Sequence, residues 1–178
     1  MKQLDEIQNF LAIDVYGKCG TIFKHSCPGH FKQDCPSIDK YYFYLAFENA
    51  SCRQYLTEKV FFNAYEKGAI PIIIGPSIED CEKLLPPNSF IHFDKFESSK
   101  VFADTIDEIA SSYEKLLHYH AWRQHFAVVN EHGYFGTKSY HYCRICEALN
   151  YNDGERFVYD KNELALFFDA RLLCNNSS

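Results

Sequence analysis

The chain is predicted to form an α/β domain in which a parallel sheet carries helices on its faces. Two short, nearly continuous apolar runs, residues 41–47 and 70–75, have the length and the aromatic or β-branched content of strands buried on both sides. Between them, residues 57–67 place Val60, Phe61, Ala64 and Tyr65 on one helical face, and Gly68 follows where a left-handed residue ends a helix. Strand, helix and strand in that order make a β-α-β unit, the building block of a doubly wound sheet.

The remaining elements follow from the same periodicities. Leu4, Ile7 and Leu11 recur at helical spacing, and residues 12–16 read as a short strand ending at Gly17. Residues 17–39 hold three cysteines, two prolines and three glycines without sustained periodicity, and are expected to be a loop pinned by disulfides. Pro71 stands near the start of the second apolar run, where a missing ladder donor is tolerable. A helix over residues 78–84 is stopped by Pro86-Pro87, a strand follows at 90–93, and residues 99–126 read as helical. Residues 150–154 are polar and read as a linker, and 163–173 as a last helix. The domain is accordingly assigned to residues 1–149, with 150–178 an unassigned tail.

With 178 residues, nearly half of them hydrophobic, there is apolar material for one core. The net charge of −6 and the scatter of Lys and Arg argue against a nucleic-acid partner. No apolar run approaches the roughly 20 residues that cross a bilayer, and the first residues are too polar for a signal peptide, so the chain as it stands is expected to be soluble. Yet its 8 cysteines suit an oxidising compartment, as do N-x-S triplets at Asn49, Asn175 and Asn176. The expectation that holds both facts is a fragment of a protein that enters the secretory pathway.

Ligands of open parallel sheets bind beyond the carboxyl ends of the strands, which directs attention to residues 48–59, between the first strand and its helix. Lys59 in a first helical turn opposes the helix dipole, a loss that an anionic ligand would offset. Amide donors and an ammonium group together suit a phosphate. Asn49 and Tyr55 can add hydrogen bonds, and Glu58 can accept from sugar hydroxyls. On spacing alone the same residues also read as solvated surface charges and an ordinary loop aromatic.

The run YLAFENASCRQYLTEKVFFNAYEKGAIPIIIGP resembles the signature segment of the α1,3/4-fucosyltransferases, and VYGKCG before it resembles that family's preceding strand-end motif. The similarity extends through LLPPNSFIHFDKF and SYEKLLHYHAWR to CRICEAL, covering roughly residues 12–149, and the cysteines around VYGKCG and at Cys52 lean toward the core-type enzymes. The resemblance implies the C-terminal, Rossmann-like half of a GT-B glycosyltransferase, which binds GDP-fucose as donor and requires no cofactor or metal. It implies donor contacts from Asn49, Tyr55, Glu58 and Lys59, with Tyr44 and Val15 near the nucleotide. The catalytic base would be a carboxylate of an N-terminal acceptor domain, and an arginine for the diphosphate would lie upstream of VYGKCG, so no catalytic residue is assigned in this chain.

The reaction implied is inverting transfer of L-fucose to a GlcNAc hydroxyl of a glycan or glycoprotein acceptor, in the Golgi, with a membrane anchor absent from this chain. The alternative is a nucleotide-sugar-binding module that performs no transfer. Consistent with metal independence, the sequence has no D-x-D triplet. Cys143 and Cys146, near His141 and His120, can be read as half of a zinc site, a redox pair or structural disulfides; the oxidising compartment favours the last. In the family such a terminal pair ties the C-terminus back to the rest of the enzyme. Trp122 and Arg123 read as packing and a salt bridge.

Overall fold

The computed structural model describes residues 2–17, 20, 27, 34–129, 133, 137–151, 154, 158 and 160–174. Among these, three parallel strands run in the order β1 (Phe43–Phe47), β2 (Ile70–Ile74), β3 (Ile91–His92). Phe43 pairs with Ile70 and Phe47 with Ile74, while β3 meets β2 only at Ile72 and Ile73. Pro71 therefore faces the β3 side one residue before β3 begins, so its missing N–H breaks no ladder bond in the central strand.

The two-residue period of the strands feeds two cores. On one face Ile70 and Ile72 join Ile7 of α1 (Lys2–Ile7) and Phe102, Ile106 and Ile109 of α4 (Ser99–Ala110), with Phe43, Leu45 and Phe47 packed alongside. On the other, Ala46 and Ile73 meet Val60, Tyr65, Cys81 of α3 (Ile78–Leu84), Leu85 and Trp122, with Tyr44 packed alongside. Each buried isoleucine of β2 contributes about 1.5–3 kcal/mol of transfer free energy. The α/β class and the parallel sheet with helices on both faces thus stand as the sequence implied.

Local differences have identifiable causes. Residues 12–16 do not form a strand: Ile13 packs on the first core, Tyr16 makes no more than an isolated bridge, and the side chains of Asp14 and Tyr16 meet the Tyr41 hydroxyl. β1 is in consequence an edge strand among the described residues, and it is half-buried rather than covered throughout. The helix after the loop starts as α2 (Glu58–Val60) and widens into a π-helical turn over Phe61–Glu66, with Ala69 N–H reaching Ala64 C=O at 2.9 Å. Gly68 ends it at φ 77°, the left-handed conformation expected of it.

The α3 bounds agree with the sequence reading because Ser77 caps the helix, accepting from Asp80 N–H at 3.1 Å, and the chain turns extended at Leu85 before the prolines. β3 is shorter than expected, as His92 already caps a 3-10 turn over Phe93–Lys95. The long helical stretch is broken at Ser111-Ser112, where Ser112 caps α5 (Tyr113–His120); a 3-10 turn over Ala121–Gln124 follows. The expected linker is helical in its first two residues, the end of α6 (His141–Tyr151). The last helix is two, α7 (Lys161–Phe167) and α8 (Ala170–Leu173), because Asp169 caps the second. Most of the 17–39 loop, Cys19 included, lies outside the described residues; its described part includes a Cys27–Cys35 disulfide.

Candidate functional site

At the carboxyl end of β1 the chain places a carboxylate where no solvent reaches it. The Glu48 side chain is 0% exposed. Its backbone N–H continues the ladder to Ile74 C=O at 2.9 Å, which fixes the start of the loop against the end of β2. Gly75 is the next residue of that end, at φ 143°, and a Cβ there would stand 2.9 Å from Glu48 Cβ. Glycine is required on both counts.

Buried charges need partners, and Glu48 has them. Thr57 N–H donates to Oε1 at 2.8 Å, the Thr57 hydroxyl lies 2.8 and 3.0 Å from the two carboxylate oxygens, and Lys59 Nζ lies 3.2 Å from Oε2. Thr57 is also the N-cap of α2, its Oγ1 accepting from Lys59 N–H at 3.4 Å. One carboxylate thereby orients both the helix cap and the ammonium group. The Lys59 side chain is 21% exposed, and two of its three ammonium donors are directed at Glu48 and at Thr57 Oγ1, 3.4 Å away. An incoming anion would meet the third.

Tyr44 points from β1 into the same neighbourhood, where its hydroxyl accepts from Asn63 Nδ2 of the π-helical turn at 3.2 Å. Burial pushes the Tyr44 phenol above its ordinary pKa; the bond from Asn63 pulls the other way, and the charges of Glu58 and Glu48 add to the rise. Asn49 and Tyr55 stand exposed on the loop. The loop is tied down between them: Cys52 is disulfide-bonded to Cys174, and Gln54, in the left-handed region at φ 57°, donates its N–H to Asp80 Oδ2 at 3.0 Å. A cavity of about 620 Å³ lies between the helix that follows the loop and the segment after α3, with Thr57, Glu58, Phe61, Pro86 and Trp122 in its wall; of the six expected donor residues only Glu58 lines it.

Five of the six residues expected at a donor site, Tyr44, Asn49, Tyr55, Glu58 and Lys59, therefore belong to β1, its following loop and α2. Val15 does not join them. It is half-buried between Asp14 and Tyr16, both bonded to Tyr41, which precedes β1 at the end opposite Glu48. Sequence reasoning missed Glu48 itself, taking it for the polar stop of a strand; a charged residue directly after a buried strand was the available signal. Lys59 is not the lone cation that the dipole argument pictured, since Glu48 already answers its charge.

Among the described residues Arg123 makes no salt bridge; it donates to Tyr65 C=O and stacks 4.5 Å from the Trp122 ring. Cys143 and Cys146 lie on α6 as free, exposed thiols. Among the described residues no three His, Cys, Asp or Glu side chains gather as a metal site.

The family model for glycosyltransferase family 10 (fucosyltransferase), C-terminal part, matches residues 1–163. The chain belongs to this family. Glycoprotein 3-alpha-L-fucosyltransferase A of Drosophila melanogaster is 35% identical over 147 residues, 82% of this family-10 chain and 27% of that protein. A 4-galactosyl-N-acetylglucosaminide 3-alpha-L-fucosyltransferase of Pan troglodytes is 32% identical over 168 residues, 94% of this chain and 43% of that protein. The chain thus spans less than half the length of these relatives. A crystal structure of an alpha1,3-fucosyltransferase with GDP-fucose aligns with a TM-score of 0.42 at 22% identity, covering 68% of this chain and 35% of the other.

Proposed function

We propose that this family-10 chain supplies the donor side of a fucosyltransferase, binding GDP-fucose at the carboxyl end of β1 with Tyr44, Asn49, Tyr55, Glu58 and Lys59, as one half of a GT-B enzyme. The observation that carries the reading is the Glu48–Lys59 pair, which holds a partly exposed ammonium group at the carboxyl end of a parallel sheet. Preorganised charge of this kind acts where charge develops. In the proposed reaction an acceptor hydroxyl loses its proton to a base and its oxygen bonds to the fucose anomeric carbon. The bond from that carbon to the diphosphate breaks on the opposite side, GDP leaves with the electron pair, and the anomeric configuration inverts.

Lys59 stabilises the departing diphosphate, and Glu58 accepts from fucose hydroxyls. Glu48 does not serve as the base, because its buried oxygens are engaged by Thr57 and Lys59. The base belongs to a part of the enzyme outside these residues, and the acceptor, a glycan or glycoprotein, binds there. The disulfides suit an oxidising lumen, and the Golgi is the proposed site of action. Val15 retains a role only if nucleotide binding draws residues 12–16 toward the loop.

Calorimetric titration with GDP and GDP-fucose tests the binding half of this reading, and a radiolabelled transfer assay on a core glycopeptide tests the rest. Binding of both nucleotides without turnover by these 178 residues is the expected result. Turnover would overturn the placement of the base, and no nucleotide binding at all would overturn the donor site.

A further inference from the structure

The C-terminal segment has no part in the reading above, yet it reaches the middle of the donor loop. Cys174 is bonded to Cys52, 122 residues earlier in the chain. The contact is more than a cross-link: Arg53 N–H donates to Leu173 C=O at 2.6 Å, and Cys52 and Cys174 form an antiparallel bridge. α8 delivers Cys174 to that place, with Asp169 capping its start and Cys174 N–H closing its last turn on Ala170 C=O at 2.8 Å.

On one side of this junction lies Asn49 and on the other Tyr55, both exposed, both proposed to touch the nucleotide sugar. The loop's other ties sit at its ends and on its far flank: Glu48 to Ile74 and Thr57 at the two ends, and Gln54 to Asp80 of α3. Among the described residues, the chain between Glu48 and Gln54 is held to the rest of the molecule by the junction with Leu173 and Cys174, and Tyr55 N–H, closing on Cys52 C=O at 3.2 Å, ties the loop's far side to that same junction. Freeing it would let residues 49–53 sample conformations that the bound ligand must then reselect, a cost that appears directly in affinity.

We infer that Cys52 and Cys174 are positioning residues for the donor site, the C-terminal segment acting as a strap that sets the Asn49–Tyr55 loop. The strap is opened by a dithiol reductant. Two electrons and two protons pass to the Sγ atoms of Cys52 and Cys174, giving two thiols, while dithiothreitol becomes its cyclic disulfide. The inference about affinity rests on the donor-site reading; the inference about the loop does not.

Two measurements on the full chain separate these. The first is calorimetric titration with GDP for the oxidised wild type, the wild type in dithiothreitol, Cys174→Ser, and wild type reduced and then reoxidised. The second is the rate of tryptic cleavage after Arg53 in the same four samples, with far-UV circular dichroism confirming that each remains folded. Reduction and Cys174→Ser are both expected to weaken GDP binding on the order of tenfold and to speed cleavage after Arg53, with reoxidation restoring both. Dithiothreitol should add nothing to Cys174→Ser, although its Cys27–Cys35 bond is then reduced.

Unchanged affinity and unchanged cleavage on opening the bond would overturn the inference, as would an equal response of Cys174→Ser to the reductant. If the oxidised wild type binds no GDP while cleavage after Arg53 still follows the redox state, the donor reading fails and the strap stands.

Discussion

Around the strands Ile7, Ala46, Ile73, Cys81 and Phe102 are fully buried, whereas α6, α7 and α8 contain no buried residue at all. Tyr142 and Tyr151 of α6 are 85% exposed, and Leu149, Phe167, Phe168 and Leu172 are all more than half exposed. Both regions carry a helical apolar pattern. Tyr142, Ile145 and Leu149 recur at helical spacing much as Phe102, Ile106 and Ile109 do. The difference is the facing surface: α4 lies on a sheet, and among the described residues α6 lies on nothing comparable. Periodicity makes a helix, then, and only a complementary face turns its apolar stripe into stability.

The comparison is broken most forcefully in the core. Phe102→Ala should cost about 3–5 kcal/mol, because its ring is edge-on to both Phe93 and Phe96 and leaves a cavity they cannot fill. Chemical denaturation would read this as a lowered midpoint. The same experiment on Phe167→Ser should stay within about 0.5 kcal/mol; a comparable loss at Phe167 would show that the tail is part of the core after all.

Lys59→Ala is expected to cost about 2–3 kcal/mol as well as GDP affinity, since it leaves Glu48 charged and unpaired; the partial exposure of Lys59 keeps the figure below that of a fully buried pair. Adding Glu48→Gln should return most of the stability and none of the affinity. A double variant that recovers nucleotide binding would show that the ammonium group is structural only.

Two helix caps sharpen the contrast at smaller scale. Ser77→Ala and Asp160→Ala each remove a side-chain acceptor from a helix start, worth about 1 kcal/mol locally. Only the first should move the global melting temperature, because α3 unfolds with the core and α7 can fray on its own. Hydrogen exchange should register the second.

The thiols give the finest test. Burial raises the Cys81 thiol to about 12, with the charges of Asp80 and Glu82 adding to the rise, while Cys143 and Cys146 are exposed. Iodoacetamide at pH 8 should label Cys143 and Cys146 and spare Cys81 until the protein unfolds, as peptide mapping would show. The folded state holds the Cys81 proton more tightly than the unfolded state, whose thiol has the ordinary value of 9.0. The stability this contributes is complete below pH 9 and is lost as pH rises toward 12.

Much of the architecture was legible without coordinates. β2 could be read from Ile70 to Ile74 because a short β-branched run with a proline near its start and Gly75 at its end suits a buried strand, and α3 because Ser77 and Pro86 bracket it. The rule that ligands approach the carboxyl ends of parallel strands points to residues 48–59, and the structure puts five of the six expected donor residues on β1, that loop and α2. Residues 12–16 were misread because their apolar pattern suits a strand, while the side chains of Asp14 and Tyr16 turn to Tyr41. The π-helical turn escaped notice since a single extra residue in a helical turn leaves the apolar spacing nearly unchanged.

By itself the amino-acid order determined the alternation of strands and helices, the caps that begin and end them, and the family, because each of these depends on neighbours a few residues apart or on long matching runs. The tertiary structure alone decided that Glu48 is the buried partner of Lys59 and that Cys174 closes on Cys52. Neither could be read along the chain. A carboxylate becomes buried, and a thiol finds its partner across 122 residues, only when packing removes the water between segments that the sequence keeps apart.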